Sequence, residues 1–166
     1  MTVTDHAIDR EALTLTFVAE FAAPVERVWQ VWAEPRQLER WWGPPEWPAT
    51  FTRHELVVGG EMRYVMTGPD GETSAGWWRM TAVEPPHRLA FDDGFADETG
   101  EPAADMPVTQ AEARLDDIGD GSTRMTLIST FPSLEALDEL AAMGMVEGMS
   151  SAMAQIDALL ADAGGL

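Results

Sequence analysis

A succession of short alternating segments separated by tight turns constrains the fold more than any other feature of this sequence. Apolar and polar residues alternate along each segment, which is the pattern of a half-buried β-strand. Turns such as Gly59-Gly60 and Gly119-Asp120-Gly121 separate the segments, and strands joined in this way pair antiparallel. The predicted strands cover residues 12–21, 49–55, 61–67, 74–84, 88–92, 108–115 and 123–131. The sequence therefore predicts one antiparallel meander of about seven strands.

A small helical insert is predicted after the first strand. Pro24 suits the first turn of a helix, and a second short helix over residues 37–42 is ended by Gly43-Pro44-Pro45. The first of these helices has apolar residues at the spacing of an amphipathic stripe, namely Val25, Val28, Trp29 and Trp32. We expect both helices to pack on the sheet.

A longer helical segment is predicted at the C-terminal end. Ser133 is a suitable N-cap, and the segment continues to about Ala161, with a break near Gly144. Strands followed by a covering helix make an α+β fold, and a twisted sheet that curls around a helix can enclose space. Residues 93–107 have no sustained period and are predicted as a long loop, which could act as a lid.

Composition limits the function classes. At 166 residues the chain is expected to be a single domain over residues 1–166. A net charge of −19 disfavours nucleic acid and anionic membrane surfaces as partners, and the absence of Cys excludes thiol chemistry and thiolate metal sites. There is no apolar leader and no apolar run of roughly 18 residues, so we expect a cytoplasmic protein that does not insert into membranes.

Several motifs occur in one order from about residue 13 to residue 160. They are Val28-Trp29-x-x-Trp32 to Trp41-Trp42-Gly43-Pro44, Gly59-Gly60-x-x-Arg63-Tyr64, Met66-Thr67-Gly68-Pro69-Asp70-Gly71, Val83-x-Pro85-Pro86-x-Arg88-Leu89 and Met143-Gly144-Met145-x-Glu147-Gly148-Met149. Together they resemble the family related to the activator of the 90-kDa heat-shock protein ATPase, in the START/SRPBCC superfamily. The resemblance implies the helix-grip (Bet v 1-like) fold: a curved seven-stranded antiparallel sheet around a long C-terminal helix, with a hydrophobic cavity between them.

Tryptophan and methionine are concentrated on the two expected walls of this cavity. Methionine is flexible and suits a surface that accepts varied apolar shapes, although it also fills irregular cores. The candidate cavity residues are Trp41, Trp42, Met62, Tyr64, Met66, Trp78, Met80, Phe91, Phe95, Met145, Glu147, Gly148, Met149 and Met153. The sequence does not show which of Trp41 and Trp42 faces inward. At Met149 many family members have tryptophan after Glu-Gly, so we expect a softer and larger ceiling here.

No catalytic constellation is recognisable, and we assign no catalytic residue, metal or cofactor from the sequence. His54 and Glu147 are candidates for acid or base roles, but a surface histidine and a carboxylate paired with Arg63 or Arg79 explain them as well. Three functions stay open. The first is binding of a small lipophilic molecule, the second is a cavity enzyme similar to polyketide cyclases and dehydratases, and the third is stimulation of a chaperone ATPase. An exposed sheet edge or the tryptophan-rich insert could support a homodimer.

Overall fold

The computed structural model of this chain describes residues 3–161, which form eight strands and four helices. The strands are β1 (Val3–Asp9), β2 (Thr14–Phe21), β3 (Ala49–His54), β4 (Glu61–Thr67), β5 (Thr73–Glu84), β6 (Arg88–Phe95), β7 (Thr109–Gly119) and β8 (Ser122–Thr130). The helices are α1 (Val25–Ala33), α2 (Pro35–Trp41), α3 (Leu134–Ala142) and α4 (Met145–Ala161). The predicted α+β class is confirmed.

All the strands belong to one curved antiparallel sheet with the order β1-β2-β8-β7-β6-β5-β4-β3. From β3 to β8 each strand pairs with the next along the chain, as expected for a meander joined by turns. Strand β2 pairs with β8, the last strand of the meander, and Phe17 lies opposite Leu127. The side chains of Phe17 and Leu127 are almost fully buried. Together with inward-facing residues of the other strands, they build a single core.

The sheet has eight strands rather than the predicted seven, and the helical insert follows the second strand rather than the first. The additional strand is β1, which lies at the sheet edge and pairs only with β2. Residues 5–10 are exposed, so neither face of β1 needs an apolar residue pattern. Backbone hydrogen bonds hold this strand, and the alternation of side chains therefore did not reveal it.

The C-terminal helices are divided where the sequence predicts a break. Gly144 separates α3 from α4 and has a φ of 87°, a conformation that other residues rarely adopt. The predicted N-cap is confirmed, because the backbone N–H of Ala136 donates to the Ser133 hydroxyl at 3.1 Å. Two shorter helices therefore replace one continuous helix, and the turn between them lies over the sheet.

Side-chain hydrogen bonds tie α4 to the helical insert. The Gln155 amide nitrogen donates to the carbonyl oxygen of Gly43 at 2.7 Å and to that of Trp41 at 3.3 Å. The Arg27 guanidinium donates to the carbonyl oxygen of Leu159 at 3.2 Å. These contacts satisfy backbone groups at helix ends and hold the C-terminal half of α4 against α1 and α2. None of the helices in residues 3–161 combines the length and apolarity needed to cross a bilayer.

Candidate functional site

A cavity of about 520 Å³ lies between the concave face of the sheet and the turn that joins α3 to α4. It is partly open to solvent, and its wall is mostly apolar. Residues from β4 to β7 form the floor, the segment after α2 forms one side, and α3 and α4 form the roof. The lining residues are Trp42, Pro44, Trp47, Tyr64, Met66, Ser74, Asp93, Gly94, Phe95, Pro107, Thr109, Leu140, Met143, Gly144, Met145, Gly148 and Met149.

Strand register determines the floor. Tyr64 pairs with Gly76 and Met66 pairs with Ser74, so these side chains share the concave face. A Cβ atom on Gly76 would lie 2.3 Å from the Tyr64 hydroxyl oxygen, which is far inside van der Waals contact. Glycine at this position lets the Tyr64 ring lie across β5, with its hydroxyl group directed toward β6.

The roof of the cavity consists largely of flexible methionine side chains, and a glycine there leaves space for a ligand. Met143, Met145 and Met149 project from the α3–α4 turn and the first turns of α4. Gly148 faces open space, because a Cβ atom placed on it would meet only the Pro44 side chain, at 3.9 Å. The missing side chain at Gly148 therefore enlarges the cavity rather than permitting a close helix–sheet contact.

Asp93 is the carboxylate on the cavity wall. It lies between Trp78 on β5 and Thr109 on β7, its pairing partners in the sheet. The side chain keeps some exposure because it borders the cavity, but the surrounding protein excludes most of its water. Burial raises the pKa of Asp93 to about 7, and hydrogen bonding from the Tyr64 hydroxyl opposes part of this rise. Near neutral pH this carboxyl group therefore changes charge inside an apolar cavity.

Tyr64 connects Asp93 to two buried indole groups. Burial and the Asp93 charge raise the pKa of Tyr64 well above its ordinary range, so the phenol keeps its proton. The indole N–H groups of Trp42 and Trp78 face the Tyr64 hydroxyl, yet neither closes a hydrogen bond of normal geometry. Polar groups on three strands and one helix end thus converge below the cavity.

A family model described as "Activator of Hsp90 ATPase homolog 1-like protein" matches residues 22–161. This chain belongs to that family. The match confirms the resemblance based on the sequence motifs, and the eight-stranded sheet with its C-terminal helix fits the helix-grip fold. We refer to the family below as the Hsp90 ATPase activator homolog-like family. Comparison with curated proteins gave no match.

Solved structures extend this assignment. The chain is 55% identical to a protein from Arthrobacter aurescens whose solution NMR structure matches with a TM-score of 0.93, over 97% of this chain and 93% of that one. It is 54% identical to a Mycobacterium smegmatis protein whose crystal structure matches with a TM-score of 0.88, over 95% and 96% of the two chains. A putative protein in the dynemicin biosynthetic locus shares the fold alone, at 20% identity and a TM-score of 0.61, over 87% of this chain and 47% of that one.

Within this family fold, the candidate residues from the sequence fall into three groups. Seven line the cavity: Trp42, Tyr64, Met66, Phe95, Met145, Gly148 and Met149. Six lie in the packed core instead: Trp41, Met62, Trp78, Met80, Phe91 and Met153. Glu147 is exposed on α4 and does not line the cavity. Arg63, which the sequence offered as its partner, instead bonds Glu61 at 2.6 Å and Glu101 at 2.8 Å.

The two adjacent tryptophans have different environments. Trp41 is completely buried; its ring meets Trp32 edge-on at 4.8 Å, and its indole N–H donates to the carbonyl oxygen of Val31 at 2.8 Å. Trp42 lines the cavity, and its ring meets Trp78 edge-on at 4.7 Å. Trp42 is therefore the inward ring that the sequence left undetermined.

His54, a candidate base from the sequence, does not line this cavity, and neither does His87. His54 Nε2 is 3.2 Å from the carbonyl oxygen of Trp32, and His87 Nδ1 is 3.1 Å from that of Leu115. A carbonyl oxygen only accepts, so each of these ring nitrogens carries a hydrogen and donates a hydrogen bond to the backbone. Among the described residues, no group of three or more acidic or histidine side chains is placed to hold a metal ion.

The cavity candidates from the sequence omit several wall residues, of which Asp93 and Trp47 are the most distinctive. Strand β6 continues to Phe95, three residues beyond its predicted end at 92. The alternation of Phe91, Asp93 and Phe95 on one face was a usable signal, but the neighbouring Asp92, Asp93 and Gly94 resemble a turn. Trp47 follows two prolines outside any regular element, where periodicity gives no orientation.

Proposed function

We propose that this member of the Hsp90 ATPase activator homolog-like family binds a small lipophilic molecule between the sheet and the α3–α4 turn. The observation that supports this function best is the cavity itself, with a volume of about 520 Å³ and a mainly apolar wall. Small-molecule sites typically have volumes of roughly 300–1,000 Å³, apolar walls and a few polar groups that orient the ligand.

The composition of the roof supports the same proposal. Met143 lines the cavity and is 58% exposed, so its side chain is free to contact a bound molecule. Methionine side chains rearrange easily, so Met143, Met145 and Met149 can close over ligands of different shape. Gly148 removes the side chain that would otherwise fill this space.

The first experiment is native mass spectrometry of the purified chain, followed by denaturing extraction of any bound molecule. A lipophilic compound at about one per chain is expected. The same spectrum reports the oligomeric state. An empty chain is then titrated with N-phenyl-1-naphthylamine, a neutral lipophilic fluorophore whose emission rises in apolar surroundings.

A matched pair of variants places the binding site. Gly148→Leu puts an apolar side chain into the cavity, and Ala154→Leu makes the same helix carry leucine at an exposed position. We expect Gly148→Leu to weaken fluorophore binding by about tenfold, since roughly two methylene groups of contact area are displaced. Ala154→Leu should bind like the wild type. Equal binding by all three proteins, or no binding by the wild type, contradicts the proposal.

A second candidate function, an enzyme that acts on the bound molecule, is favoured by one observation. Asp93 is a carboxyl group that can gain or lose a proton near neutral pH at the wall of an apolar cavity, which suits general acid or base catalysis. The test compares the compounds extracted from wild-type and Asp93→Asn protein. An enzyme leaves unreacted substrate in the variant, which the wild type then converts; a binding protein yields the same compound from both.

A further inference from the structure

Asp93 is a half-buried carboxylate without the positive partner that a carboxylate shielded from water normally has. Of the described residues that line the cavity, it alone carries a carboxyl group, and no arginine or histidine of residues 3–161 forms an ion pair with it. Buried charges in proteins are paired or hydrogen-bonded, because removing an ion from water costs several kcal/mol otherwise. Within the described chain, only the Tyr64 hydroxyl partly meets this requirement.

The hydrogen-bonding groups around Asp93 leave it as an acceptor toward the cavity. Indole N–H groups only donate, and those of Trp42 and Trp78 face the Tyr64 oxygen. The Tyr64 proton is then directed to Asp93. An ionised carboxylate has about four acceptor positions, so after one bond from Tyr64 it still accepts from a donor in the cavity. A ligand that only accepts hydrogen bonds cannot form one with the ionised Asp93 carboxylate.

Three features make a cation the best complement. An ammonium group neutralises the Asp93 charge, whereas a neutral hydroxyl group leaves the buried charge in place. The rings of Trp42, Trp47 and Tyr64 line the floor and one side of the cavity, and aromatic rings attract cations. The net charge of −19 raises the local concentration of cations and repels anions.

From this juxtaposition we propose that the ligand is a lipophilic amine whose ammonium group pairs with Asp93 while its apolar part lies under the α3–α4 turn. The proposal rests on the proposed function, that the cavity holds a small lipophilic molecule. It names the class of that molecule and the residue that selects it.

The test uses four naphthalene derivatives that differ in one substituent. They are 2-naphthylmethylamine (a cation), 2-naphthylmethanol (a neutral donor), 2-methylnaphthalene (apolar) and 2-naphthoate (an anion). Each competes with N-phenyl-1-naphthylamine at about pH 8, where Asp93 is ionised because its pKa is about 7. We expect the amine to compete at least about tenfold better than the alcohol and the hydrocarbon, as for a charge-assisted hydrogen bond. The anion should compete least.

Two variants distinguish the effect of Asp93 on amine binding from the effect of the acidic surface as a whole. Asp93→Asn and Asp92→Asn remove the same charge from adjacent positions of β6 whose side chains lie on opposite faces of the sheet. Asp93→Asn should abolish the advantage of the amine over the alcohol and the hydrocarbon. Asp92→Asn should keep the advantage. In the wild type, the advantage should also shrink at about pH 5.5, where Asp93 is protonated.

The outcomes distinguish the two proposals. If the hydrocarbon or the alcohol competes as well as the amine, or if both variants behave alike, the amine inference is wrong while cavity binding stands. If neither the fluorophore nor any of the four compounds binds, measured also by calorimetry with the amine, the proposed function itself is wrong.

Discussion

Replacing Asp93 by asparagine should make the stability of this protein less dependent on pH. The folded environment raises the pKa of Asp93 from 3.8 to about 7, mainly because burial disfavours the charged form. Between these values the native protein holds a proton that the unfolded chain releases. The free energy of unfolding therefore falls as pH rises from about 4 to 7, and the Asp93 contribution is fully present only below the unfolded pKa.

The size of this effect follows from the two pKa values. A difference of about 3 pKa units corresponds to about 4 kcal/mol at 1.36 kcal/mol per unit, once pH lies above the folded value. Between about pH 5 and pH 8, the wild type should lose 2 to 3 kcal/mol of stability relative to Asp93→Asn. The asparagine amide has nearly the same shape and carries no charge to desolvate, so the variant lacks this loss.

The assay is urea unfolding at about pH 5, 6, 7 and 8, followed by tryptophan fluorescence. Other carboxylates titrate in both proteins, so their contributions cancel in the difference between variant and wild type. Asp92→Asn, which removes a carboxylate from the other face of β6, serves as the control for the loss of one negative charge from this strand. A stability difference between Asp93→Asn and wild type that is the same at every pH would refute the reasoning.

Two further predictions concern glycines at the cavity. Gly76→Ala places a methyl group 2.3 Å from the Tyr64 hydroxyl oxygen, so the Tyr64 ring must move. We expect the free energy of unfolding, measured in urea, to fall by about 1–3 kcal/mol. Unchanged stability would show that the Tyr64 ring can adopt another position without cost. Gly144→Ala should destabilise by about 1–2 kcal/mol because its φ is 87°, whereas Gly148→Ala should stabilise by about 1 kcal/mol through helix propensity. Thermal unfolding shows whether each variant is more or less stable than the wild type. A change of stability in the same direction for both variants would contradict the assigned backbone conformations.

Much of the fold could be predicted because its signals are local. The alternation in β4 gave the bounds 61–67, which the structure matches, and Gly119-Asp120-Gly121 does form the turn between β7 and β8. The N-cap at Ser133 and the break at Gly144 also depend on a few neighbouring residues. Strand β1 could not be found in this way, since residues 5–9 are exposed and carry no burial pattern.

The site was less predictable. The sequence offers Met62, Tyr64 and Met66 as cavity candidates, but local alternation could not show that Met62 lies in the packed core while the other two line the cavity. The same limit applies to Trp78, which is inward-facing and fully covered. Asp93 was placed in a loop, because acidic residues beside glycine are typical of turns.

The sequence by itself determined the inward face of strands such as β4 and of helix α1, because strand alternation and helical spacing are properties of consecutive positions. It also identified the family through motifs spread along the chain. Only the tertiary structure decided which inward residues pack and which border open space, because this depends on the separation between the sheet and the α3–α4 turn. That separation arises from contacts between distant segments, such as the bonds from Gln155 to Gly43 and Trp41. The pairing of β4 with β5 and of β5 with β6 likewise brings Asp93 beside Tyr64, and the enclosed environment changes the chemistry of an ordinary carboxyl group.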